Sequence, residues 1–482
     1  MKSRTQFSIH GIALHSGYNP EIQAERFITR NTPPDTRTIL IIGAGFGFLC
    51  AQAKRLFPHA KILAVKASPE IPDETPEAYS WDSGNHLNLF QFLRRSIQYG
   101  DMIGLQVLYW QPGCRLLEDH IPGFMYIIQS AIEMIQMELV TMGTFGRRFL
   151  INSVHNAVRI KPESLHLPDK PILLAAPGPS LNLHLAALRD HRADYNLIAV
   201  SSALQPLISA DLYPDAVIAI DGGYYARELL SPLSLPKCGD IPLLAYPQAA
   251  IPRLLNNRLL IFGDPTTPEG SFFPSLSGLA AAVETMGTVT AAAANLLDTI
   301  YGLPVLFVGL DLQSSPFQTH ADNHHSIRHQ LTVQSRTRTL LSSCVHRHER
   351  GSAALQTYRS WFASHQSVYP FRLSTAAGGT DVLPEQSIQG FVHESASAAL
   401  DLHTEGVAIA DVRGRIERIT MDVEDYLCRC MEIDFLSHSP QLEYVIYTTL
   451  PKLHTGNGSI DYPALCAEWN SLSSRLLEIA CA

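Results

Sequence analysis

Five short stretches of this 482-residue chain carry residue types that could do chemistry. Pro177-Gly178-Pro179-Ser180-Leu181 places a glycine between two prolines and follows it with a hydroxyl. Glycine lets the backbone approach a ligand closely, proline stiffens the turn, and Ser180 can cap a helix or donate to a phosphate. Ser201 and Asp221 each follow a short apolar run. Gly287-Thr288 opens an alanine-rich segment, and Gly309-Leu310-Asp311-Leu312 closes a fourth run. Glycines, hydroxyls and two aspartates suit a ligand with a phosphate and sugar hydroxyls. Any one of these corners also reads as an ordinary strand-to-helix turn.

The next stretch is rich in histidine and arginine. Residues 318–350 hold His320, His324, His325, His329, His346 and His348, with Arg328, Arg336, Arg338, Arg347 and Arg350. The chain as a whole carries a net charge of −9, so this is a local reversal. Arginine pairs with carboxylate or phosphate through two parallel hydrogen bonds, which fits an anionic ligand. Histidine titrates near neutral pH and can act as a general base. The i, i+4 spacing of His320 and His324 would also allow metal ligation, although no HExxH is present. A solvated loop is the plain alternative. No D-x-D occurs to hold a divalent metal on a diphosphate.

These corners need a frame. Apolar runs at 172–175, 197–200, 216–220, 243–246, 259–262 and 305–308 alternate with helix-like segments, predicting a doubly wound, mostly parallel sheet. Ligands on such sheets bind beyond the carboxyl ends of the strands, where the residues above fall. A first region, 1–155, opens with a strand into Gly43-Ala44-Gly45-Phe46-Gly47 and a second strand at 62–65, a Rossmann-like start. A nucleotide or S-adenosylmethionine could bind there. Lys66 stands where an acid would grip the ribose, and lysine has no acceptor, so a scaffold without cofactor is the favoured reading. The central region is 156–390. The last, 391–482, reads as helical, at 414–436 and 462–479.

Composition sets the outer bounds. The chain is 46% hydrophobic and 17% charged, against a usual charged share of about 25%, which excludes a disordered chain. Eight scattered cysteines without C-x-x-C exclude a disulfide scaffold and fit reduced thiols in the cytoplasm. The negative balance gives no global attraction to nucleic acid or anionic lipid. No run reaches the length of a membrane span, and the N-terminus lacks an apolar signal-peptide core.

With these residues assembled, the sequence resembles the motility-associated factor (Maf) flagellin glycosyltransferases, which overlap the 6-hydroxymethylpterin diphosphokinase MptE-like grouping. The resemblance rests on His15-Ser16-Gly17-Tyr18-Asn19-Pro20 with Ala24-Glu25-Arg26, Ile41-Ile42-Gly43-Ala44-Gly45, Pro177 to Leu181 with Asp215 and Asp221, and Gly287-Thr288-Val289. It continues through Val308-Gly309-Leu310-Asp311-Leu312, Thr319-His320-Ala321 and a later element at 374–379. It covers about residues 10–400, and the central part is similar to bacterial sialyltransferases. It implies transfer of a nonulosonic, sialic-acid-like sugar from a cytidine monophosphate (CMP) donor to Ser or Thr of flagellin, with inversion, in the cytoplasm and without a cofactor. His320 and Asp311 would be catalytic. Gly178, Pro179, Ser180, Leu181, Ser201, Asp221, Gly287, Thr288, Gly309 and Ser374 would hold the donor. Thr288 stands where the family has serine, Leu310 where it has glutamine, and Lys66 where it has an acid. The alternatives are an ATP-dependent pterin diphosphokinase-like transferase, a methyltransferase using the first glycine turn, and a non-catalytic flagellin-binding assembly factor.

Overall fold

The computed structural model describes residues 7–433 except 35, 72–77, 99, 103, 266, 268, 274–278, 284–287, 314–317, 338, 343–344, 346–352 and 369–371, and further describes 445, 448–449 and 462–481. The chain gathers into two compact units, Met1–Thr144 with Tyr426–Leu465, and Phe145–Asp425 with Cys466–Ala482. The 34-residue helix Phe124–Ala157 runs unbroken through the point at which one gives way to the other.

The first unit begins with a short antiparallel pair, β1 (Ser8–Ile9) and β2 (Ile12–Ala13). Its sheet is all parallel, with β3 (Thr38–Ala44), β4 (Lys61–Lys66), β5 (Tyr79–Trp81) and β6 (Leu105–Tyr109) in the order β5-β4-β3-β6. All seven residues of β3 are buried, as a strand covered on both faces requires. At the amino edge, fully buried Asp101 accepts from Thr38 Oγ1 at 2.9 Å and from Lys61 Nζ at 2.6 Å.

The second unit carries eight parallel strands. They are β8 (Ile172–Ala175), β9 (Asn196–Val200), β10 (Ala216–Ala219), β11 (Leu243–Ala245), β12 (Leu259–Gly263), β13 (Ala281–Ala282), β14 (Val305–Val308) and β15 (Leu373–Thr375). Their order is β13-β12-β11-β10-β9-β8-β14-β15. The chain therefore steps outward from β8 in one direction, returns, and continues on the other side of β8 with β14. Short strands, all buried except β13, with helices between most of them account for this parallel sheet. A separate antiparallel pair joins β7 (Glu163–Leu167) to β16 (Leu400–Thr404). β16 lies in the stretch read as helical; its alternating burial is a strand signal only five residues long. The two helices expected after it are present as Ile409–Ile433 and Tyr462–Cys481. Among the described residues no helix is long and apolar enough to cross a membrane.

Candidate functional site

In a doubly wound sheet, the crevice for a ligand opens at the carboxyl ends of two neighbouring strands whose connections depart in opposite directions. Here those strands are β8 and β14. The turn Pro177–Leu181 follows β8 and Gly309–Asp311 follows β14, so the sequence motifs meet at the switch point. The contact is close. The Gly178 amide donates to Gly309 O at 2.8 Å, and a methyl group placed on Gly178 would lie 2.5 Å from that oxygen and 2.6 Å from Asp311 Cγ. Gly309, at φ +82°, meets Ala176 O just as tightly.

Asp311 fills this corner itself. It is buried, and its carboxylate accepts from the Ser180 amide at 3.0 Å and from the Ser180 hydroxyl. The Leu181, Asn182 and Leu183 amides donate back to Gly178, Pro179 and Ser180 at 3.0–3.1 Å. The amides of Gly178, Ser180, Leu181, Asn182 and Leu183 thus each have a partner, Gly309 O and Asp311 for the first two and the turn itself for the rest, and Asp311 sits at the start of the Leu181–Asp190 helix. The glycine is required by the carboxylate of this chain. Asp311, expected to be catalytic, bonds the turn expected to receive the phosphate. Burial raises its carboxyl above the usual range, and the Ser180 bonds and His184 only partly offset that.

The histidine stretch crosses the same edge. The Ala321 amide donates to Pro177 O at 2.8 Å, the Asp322 amide to Asn182 Oδ1 at 3.1 Å, and His325 pairs with Glu228, which follows β10. The described part of this stretch therefore touches the turn and helix after β8 and reaches the helix after β10. Leu312 (φ +50°) and Asn323 (φ +62°) hold left-handed backbone at its two ends. His320 and His324 stack with centroids 4.0 Å apart and planes within 7°. His324 is 5% exposed, and burial, then His320 and His325, pull its pKa down to about 3.

The remaining expected residues spread along the edge. Ser201 is buried in a single helical turn after β9. Asp221 is exposed, its Oδ1 accepting from the Gly223 amide at 2.7 Å. Thr288 starts the helix Val289–Ile300 without capping it, and Gly287 lies outside the described residues. Ser374 is buried in β15 and its hydroxyl donates to Gln386 Oε1 at 3.2 Å. The turn after β15 does close on the cluster, with the Thr380 amide on Leu310 O at 2.7 Å. Of the arginines, Arg336 is exposed; Arg338, Arg347 and Arg350 lie outside the described residues, as do His346 and His348.

Sequence reasoning missed the groups that hold the edge in place. Asn152 donates to Gly222 O and Gln248 O, and Asn156 to Pro247 O and Ala249 O, tying the loops after β10 and β11 to one helix. Two amides at i, i+4 on a helix were the available signal. In the first unit the glycine turn is occupied from within. The His15 ring lies against Gly45 and stacks on Trp110 at 5.4 Å, and a methyl on Gly45 would sit 2.3 Å from His15 Nε2. Lys66 is buried and pairs with Asp82 at 3.0 Å.

Comparison with known proteins adds to this geometry. Residues 147–316, which hold β8 to β14 and their turns, match the family described as 6-hydroxymethylpterin diphosphokinase MptE-like. A Maf glycosyltransferase from Magnetospirillum magneticum AMB-1 has a similar structure over 98% of this chain and 87% of that one, with a TM-score of 0.53 and 11% identity. The fold of the chain is similar to that of the Maf glycosyltransferase. An uncharacterized protein of Treponema pallidum (strain Nichols) is 26% identical over 258 residues, 53% of this chain. The chain spans 56% of that relative's length.

Proposed function

We propose that this Maf-like protein is a glycosyltransferase that moves a nonulosonic sugar from a CMP-activated donor to a Ser or Thr hydroxyl of flagellin, in the cytoplasm. The observation that carries the reading is the bond from the Ala321 amide to Pro177 O, which ties the residue next to His320 to the turn after β8 at the switch point. The Maf-like fold supports it. His320 takes the proton of the acceptor hydroxyl, the oxygen attacks the anomeric carbon, and CMP departs with the bonding pair, inverting that carbon. The amides from Gly178 to Leu183 are engaged, so the donor's phosphate is received elsewhere on the edge. The Val289–Ile300 helix start qualifies, because Thr288 caps no amide of its own helix. Positioning and charge stabilisation supply most of the rate.

A second reading has one observation in its favour, the description of the family that matches residues 147–316. It is an ATP-dependent diphosphokinase-like transfer to a pterin. Intact-mass analysis of flagellin from cells with and without the gene separates the two. The first reading expects the mass to fall by one or more nonulosonic acid residues. Identical masses in a strain that makes the glycan sink it. Turnover of ATP and hydroxymethylpterin that stops with a chelator would establish the second.

A further inference from the structure

The Ser326 amide donates to His324 Nδ1 at 3.1 Å. A backbone N–H can only donate, so His324 Nδ1 carries a lone pair, and the neutral ring holds its proton on Nε2. The Ser326 hydroxyl lies 2.7 Å from the same Nδ1 and 3.5 Å from His320 Nδ1. Giving its hydrogen to His324 leaves Ser326 Oγ as an acceptor towards His320. Thr319 Oγ1, at 3.1 Å from His320 Nδ1, can accept from the same side. Protonating His324 would set an N–H against the Ser326 N–H, so the geometry holds this ring neutral. His325, paired with Glu228, is the other titratable group beside it.

We propose that His324, acting through Ser326, sets the tautomer and ring plane of His320, placing the His320 proton on Nδ1 and its lone pair on Nε2. His324 is then a positioning residue. It does for His320 what an orienting carboxylate does for a catalytic histidine, without adding a charge. The stack, within 7° of parallel, fixes the ring plane, and Ser326 fixes the proton. The inference rests on His320 being the base, yet the tautomer can be read without any turnover.

The test uses the full chain labelled with 15N-histidine. Ring 15N shifts at neutral pH report which nitrogen of His320 is protonated, with His320→Ala identifying its signals. Wild type should show a single form protonated on Nδ1. Ser326→Ala, a mild change at a partly exposed position, should give mixed tautomers, and Ser326→Thr should restore the single form. With CMP-pseudaminic acid or CMP-legionaminic acid and flagellin, Ser326→Ala should lower kcat on the order of tenfold, with the KM for donor unchanged. His324→Asn, which keeps an acceptor at the δ position, should retain more activity than His324→Leu. Wild-type spectra showing His320 protonated on Nε2, or spectra and kcat unchanged in Ser326→Ala, overturn the proposal. Full activity in His320→Ala would instead overturn the assignment of the base, and the spectra would still decide the tautomer.

Discussion

Asp311 gives a prediction whose sign is decided by two opposing effects. Its carboxylate accepts two hydrogen bonds from Ser180, and bonds to a charged acceptor contribute about 1.5–3 kcal/mol each. Burial acts the other way, and the carboxyl is raised above its usual range, so desolvation outweighs the bonds. Asp311→Asn keeps an oxygen for the Ser180 amide and offers an N–H to the Ser180 hydroxyl, while removing the buried charge. It should leave stability within about 1 kcal/mol of wild type, or raise it. Asp311→Ala leaves the buried Ser180 amide without an acceptor, costing about 1–3 kcal/mol, and opens a cavity beside Gly178. A total loss of about 2–4 kcal/mol is expected, read from urea unfolding.

The pH dependence follows from the same shift. The folded chain holds the Asp311 proton more tightly than the unfolded chain, whose value is 3.8. Stability therefore falls as pH rises above 3.8 and levels off once pH passes the raised folded value, with a slope of at most about 1.4 kcal/mol per pH unit. Asp311→Asn lacks this loss. Its advantage over wild type should be absent below pH 3.8 and full at pH 7.5. An asparagine variant as unstable as the alanine variant at pH 7.5 would refute the reasoning, since the charge itself would then be the stabilising element.

Three further outcomes are expected. Asn156→Ala removes two bonds to loop carbonyls and should cost about 2 kcal/mol in urea unfolding, with transfer reduced because the loop after β11 is no longer tied down. Asp101→Ala leaves the charge of the largely buried Lys61 with only the Ser96 carbonyl as partner and should cost about 3–5 kcal/mol; a loss below 1 kcal/mol would show that water reaches the pair. His15, pulled down to about 4 by burial with neither ring nitrogen partnered, makes the fold lose stability as pH falls from 6.5 towards 4. His15→Leu should flatten that limb by up to about 1.4 kcal/mol per pH unit.

Much of the sheet was legible because each long parallel strand is a continuous apolar run ending in a turn residue. Burial on both faces forces that pattern, and the six runs of the central region became β8 to β12 and β14. The strands left unread are those in which the pattern is short or diluted. β13 has two residues, β6 only one fully buried position, and β15, three residues like β11, has hydroxyl residues at two of them. β16 shows a two-residue period too brief to stand out beside the helices that follow. The alternation of strands also did not disclose where the order reverses. That depends on which side of β8 the returning chain takes, a matter of packing between distant segments.

The candidate site was legible in kind but not in state. Glycines, hydroxyls and aspartates at a carboxyl edge say which groups are present; binding depends on which of them remain unpaired. In Pro177–Leu181 the Ser180 amide is taken by Asp311, 131 positions away, and the Gly178 amide by Gly309 O. The same residues that suggested a ligand's phosphate therefore describe a turn closed by the chain's own carboxylate. Gly45 repeats the lesson in the first unit, where the space a glycine creates is filled by His15. At both corners the space a glycine leaves is filled by the protein, by Gly309 O and Asp311 at Gly178 and by His15 at Gly45. His320 differs. Its neighbours Thr319, His324 and Ser326 set the plane and the proton of its ring, which is the arrangement a base requires and one that packing alone does not call for.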